Sequence, residues 1–104
     1  MFTINNVDWR VVKTSANHPK LFRSDGSLSI GACDSNSKTI YLNENLYGDK
    51  LQKVLCHEIT HAAMFSYDVN LTLEQEELVA DLIATYGEEI IEVTNRIFRK
   101  IRYK

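Results

Sequence analysis

The rhythm of apolar and polar positions changes once along the chain. Up to about residue 43 the alternation has a period near two. In Lys38–Asn43, Ile40 and Leu42 alternate with Tyr41 and Asn43, as in a half-buried strand. Leu28–Cys33 precedes it across the turn-rich Asp34-Ser35-Asn36-Ser37, so the pair predicts a β-hairpin. An earlier strand is expected near Asp8–Thr14, followed by a loop at Asn17-His18-Pro19-Lys20. After a turn at Asn45–Gly48 the period lengthens. Leu51, Leu55, Ile59 and Ala62 recur at helical spacing and predict a helix from about Asp49 to Tyr67 with that stripe buried. Asp68–Leu71 break it. Thr72-Leu73-Glu74-Gln75 then matches a capping box, in which hydroxyl and amide satisfy each other's unpaired N–H groups. Leu78, Leu82, Tyr86 and Ile90 follow at four-residue intervals, and Ile97 and Ile101 extend the face. Gly87 predicts a kink, or the meeting of two helices. The expected fold is α+β: a small antiparallel sheet of about three strands packed on two to three helices, one domain spanning 1–104.

Composition narrows the function little. With 44% apolar and 25% charged residues the chain reads as an ordinary globular domain, large enough for one core. A net charge of −2 gives no global field for nucleic acid or an anionic membrane. The stretch Arg96–Lys104 is basic, but Glu88, Glu89 and Glu92 precede it on the same helix, an arrangement that offsets the macrodipole. Nucleic acid is therefore not an expected partner. No signal peptide or membrane span is visible, which makes the expected location cytoplasmic. Cys33 and Cys56 are too few for a disulfide scaffold and are expected as buried thiols. Cys56 adjoins a histidine, yet one residue is about 100° around a helix, so it should point into the core.

The chemistry concentrates in Cys56-His57-Glu58-Ile59-Thr60-His61, which contains H-E-x-x-H. Histidines four apart present both rings on one helix face, as a zinc ion requires, and the intervening Glu58 can accept a proton from the water beside it. A catalytic zinc needs a third protein ligand. No histidine follows His61, so a carboxylate must supply it. Glu77 and Asp81 share a face of the second helix. The economical assignment gives Glu77 to the metal and Asp81 to the free ring nitrogen of His57, with Glu76 and Asp81 as alternative ligands. Glu76 points about 100° from Glu77 and is expected in solvent. His18 is expected as a solvated loop residue, and Tyr41 as a cross-strand packing residue.

His57-Glu58-Ile59-Thr60-His61 with Glu77-Leu78-Val79-Ala80-Asp81 resembles the H-E-x-x-H plus E-x-x-x-D signature of gluzincins, the thermolysin-like zinc peptidases. The short chain is most similar to minimal gluzincins and to the small ImmA/IrrE-type peptidases of phages and mobile elements. The resemblance covers roughly Gly31–Gly87. It implies a zinc-dependent metalloendopeptidase acting on a peptide or protein, with Glu58 as general base, Glu77 as third ligand and Asp81 orienting His57. It also implies that Lys38–Asn43 is an edge strand along which an extended peptide aligns. Larger gluzincins stabilise the oxyanion with a histidine or tyrosine from a further subdomain; here Tyr67, Tyr86, Tyr103 and His18 are the candidates to replace it. Two alternatives stand beside the enzyme. One is a catalytically inactive zinc-binding interaction protein. The other, weaker one is a nucleic-acid-binding module using the basic C-terminus; separately, the C-terminal segment Arg99–Lys104 is expected to lie across the cleft.

Overall fold

The computed structural model describes residues 1–102. The fold is α+β. Four strands, β1 (Phe2–Ile4), β2 (Val7–Thr14), β3 (Gly31–Asp34) and β4 (Thr39–Asn43), precede two helices, α1 (Gly48–Ser66) and α2 (Leu73–Ile101). The sheet runs β1-β2-β4-β3. It departs from the expected three antiparallel strands in two ways. β1 adds a short hairpin through Asn5 and Asn6, both at positive φ, a conformation asparagine tolerates better than most residues. β2 and β4 then pair in parallel, Val11 opposite Ile40, while β3 and β4 remain the antiparallel hairpin. Its turn is shaped by Asp34, whose carboxylate accepts from the Asn36 N–H at 3.0 Å.

This topology also corrects the edge. β4 is hydrogen-bonded on both sides, and its Thr39, Ile40 and Leu42 are buried. The open edge beside α1 belongs to β3 instead. Trp9, Ile40, Leu42 and Ala62 form the core, against which Leu51, Val54, Leu55 and Ile59 of α1 pack. The helical stripe read from the sequence is thus the face that closes the sheet. The Trp9 indole N–H donates to Ser66 Oγ at 2.9 Å, tying β2 to the last turn of α1.

Gly48 at positive φ starts α1, with Asp49 in its first turn. The chain leaves α1 through Asp68, also at positive φ. Thr72 accepts from the Gln75 N–H while Gln75 accepts from the Thr72 N–H, so the expected capping box starts α2. α2 then runs 29 residues without interruption. Gly87 does not divide it: the helix continues through this position without a positive φ. The stripe Leu78, Leu82, Tyr86 and Ile90 is not core either: these side chains are exposed, and Ala80 is the only buried residue of α2. No helix among the described residues is long and apolar enough to cross a membrane.

Candidate metal centre

α1 and α2 lie side by side with opposite chain directions, since His57 meets Asp81 while His61 meets Glu76 and Glu77. The four-residue spacing stacks the two imidazoles one turn apart, their ring centroids 4.9 Å from each other. His57 Nδ1 lies 3.0 Å from Asp81 Oδ1, and His61 Nδ1 lies 2.7 Å from Glu76 Oε1. An ionised carboxylate only accepts, so in the neutral tautomer that donates from Nδ1 to these two partners each Nε2 lone pair faces inward. The two Nε2 atoms are 3.2 Å apart. Glu77 closes the triangle, with Oε1 2.9 Å from His61 Nε2 and Oε2 3.3 Å from His57 Nε2. Four zinc ligands at 2.0–2.1 Å would sit about 3.3 Å from one another at the corners of a tetrahedron. Among the described residues, His57, His61 and Glu77 are the one group whose donor atoms cluster closely enough to hold a metal ion.

Glu58 lies beside this triangle, buried at 8% exposure. Burial pushes its carboxyl above the ordinary range and the nearby Glu77 adds to this, while His57, His61 and Arg23 pull the other way. Its position depends on Gly31. A Cβ there would stand 2.8 Å from Val54 Cγ1 and 3.2 Å from Glu58 Cγ, so only glycine lets β3 approach α1 this closely. The cleft holding Glu58 encloses about 820 Å³, with β3 along one side and Arg23, Phe65 and Val69 among its walls. Burial, reinforced by the charge of Glu58, pushes the Cys33 thiol up to about 12, so it stays a protonated packing group. Cys56 is half-buried and borders a groove between the helices; both cysteines are unpaired.

Several expectations need correction. Glu76 is not solvated: α2 crosses α1 so that its side chain reaches back to His61, a contact that helical phase alone could not reveal. None of the described oxyanion candidates lines the cleft. Tyr67 and Tyr86 are exposed, while His18 accepts from the Lys20 N–H and stacks on Tyr41, a half-buried structural role. Tyr103 and Lys104 lie outside the described residues. Arg23 reaches the cleft instead, from a loop that no sequence pattern marked. The described part of the C-terminal segment, residues 99–102, does not cover the site, because α2 carries Arg99 and Lys100 away from it, about 30 Å of helix beyond Asp81. The chain matches no protein-family model, and neither the curated proteins nor the solved structures contain a significant match to it.

Proposed function

We propose that the chain is a zinc-dependent peptide hydrolase in which His57, His61 and Glu77 hold the metal and Glu58 is the general base. One observation carries this reading: three inward-facing donor atoms, spaced like the corners of a zinc tetrahedron, stand beside a buried carboxylate. The charge balance agrees. Glu58, Glu76, Glu77 and Asp81 bring four carboxylates around two imidazoles, a surplus that a divalent cation offsets. Zinc bound there would supply Lewis-acid chemistry, polarising a carbonyl and acidifying water.

The chain's own groups do the rest. A carboxylate oxygen of Glu58 takes the proton of the attacking water and returns it to the leaving amine. A carboxyl whose pKa is raised by burial is a stronger base than a solvated one and still gives the proton up. Asp81 and Glu76 hold the two rings in the tautomer that leaves both Nε2 lone pairs free for the metal. Arg23 is the cation available to meet negative charge developing on the carbonyl oxygen. An extended substrate adds to the outer edge of β3, not to β4, bringing its backbone past Gly31 and Glu58. Phe65 and Val69 offer apolar contact for one of its side chains.

The test combines metal content with a peptide-library digest. Wild type should bind one zinc per chain and cleave; Glu58→Gln should keep the zinc and lose cleavage by about 10²-fold or more. Cleavage retained by Glu58→Gln, or no zinc uptake by the wild type, overturns the reading.

A further inference from the structure

α2 exposes more apolar surface than its own domain covers. Ile83, Tyr86, Ile90, Val93 and Ile97 are 43%, 54%, 59%, 39% and 44% exposed. Their spacing alternates three and four residues, which places them at the a and d positions of a heptad and makes one straight seam. The seam lies roughly 100° around the helix from Glu76, Ala80 and Ala84, the side turned towards α1. Extending the pairing of His57 with Asp81 puts the start of α1 level with about residue 89, so the last dozen residues of α2 have no helix beside them. A seam with this period suits another helix better than it suits a flat surface.

We propose that the seam binds a second copy of this chain, the two α2 helices running antiparallel. Charge selects this occupant and this direction. Glu88, Glu89 and Glu92 precede Arg96, Arg99 and Lys100 on the helix, so antiparallel copies set acid against base, whereas parallel copies set like against like. The register follows from the heptad. Tyr86 layers on Ile97 of the second copy and Ile90 on Val93 of the second copy, each twice by symmetry. That register lays Glu89 beside Arg96 of the second copy on one flank. On the other flank it brings Gly87 to Thr94 of the second copy, where small side chains allow close approach. Hydrophobic layers and charges thus agree on one two-fold axis near residue 92. The seam and its flanking charges include none of the residues that cluster as the metal centre.

Sedimentation equilibrium of the full chain, from about 1 µM to about 1 mM, should show the mass rising from the 12.0 kDa of one chain towards twice that value. Ile90→Asp should remain monomeric with an unchanged helical circular-dichroism spectrum. Glu89→Arg and Arg96→Glu each place like charges together at two symmetric points and should weaken dimerisation by about tenfold. Mixed in equal amounts, these two variants should form a heterodimer as tight as the wild-type dimer, because every reversed charge then meets its opposite. A wild type monomeric over the whole range overturns the proposal, as does a chain that stays monomeric yet binds anionic vesicles through α2. Reversals without effect, or a mixture that fails to recover, overturn the antiparallel register.

Discussion

Glu76 offers a sharp test of how the two histidines are held. Its carboxylate accepts from His61 Nδ1 at 2.7 Å with the side chain 29% exposed; the matching bond from His57 to Asp81 is 3.0 Å long, and Asp81 is 68% exposed. A charge-assisted bond that is shorter and better shielded is screened less by water and restrains its ring more. Removing a carboxylate that orients a metal-bound histidine typically costs about 10–100-fold in affinity. Glu76→Ala should therefore fall near the upper end of that range and Asp81→Ala near the lower. Glu76→Gln keeps an acceptor without the charge and should cost only a few-fold. Zinc affinity measured by competition with a chromophoric chelator separates the three variants, and circular dichroism confirms that each remains folded. Equal affinities for Glu76→Ala and wild type would refute the reasoning, and so would a larger loss from Asp81→Ala.

Three further outcomes follow from the same geometry. In metal-free protein the fold favours neutral Glu58, so this contribution is fully present below the ordinary carboxyl value of 4.5 and is lost as pH rises through the elevated one. The melting temperature of Glu58→Gln should then exceed that of the wild type by a margin that grows from pH 4.5 to neutrality; a constant margin counts against it. Gly31→Ala forces a Cβ against Val54 and Glu58 and should destabilise the fold by about 1–3 kcal/mol in chemical denaturation, reducing cleavage more than zinc affinity. The hydrogen bond from Lys20 holds the Asp34 carboxyl at about 2, so its contribution is present above 3.8 and is lost as pH falls from there towards 2. Asp34→Asn should show a shallower acid transition over that window, and an unchanged transition would remove the pair from the acid response.

What could be read in advance was what local periodicity encodes. Leu51, Leu55, Ile59 and Ala62 marked the buried face of α1, and Thr72 with Gln75 marked the start of α2. Residues 57, 61, 77 and 81 were grouped by helical phase, and the structure brings their side chains together. What escaped was long-range. The parallel pairing of β2 with β4 depends on a crossover through residues 15–38 that no short pattern announces. Three-residue β1 is too short for an alternation to register. Phase alone turned Glu76 towards solvent; the crossing of the two helices turned it back to His61. The exposed stripe of α2 shows the same limit, since periodicity reports that a face is apolar but not what covers it.

The division of α2 into two halves follows from how little core the domain has to share. Trp9, Ile40, Leu42 and Ala62 are spent in joining sheet to α1, and Ala80 alone anchors α2 by burial. The first turns of α2 are therefore held to α1 largely through polar contacts, the bonds of Glu76, Glu77 and Asp81 to the two histidines. With Glu58 alongside, they gather four carboxylates at one place, an arrangement that repels itself unless positive charge is taken up between the helices. A cation bound there would fasten α2 where apolar burial does not. On the proposed reading, docking of α2 and metal binding would be one equilibrium, since the histidine–carboxylate pairs that would orient the ligands also attach the helix that carries Glu77.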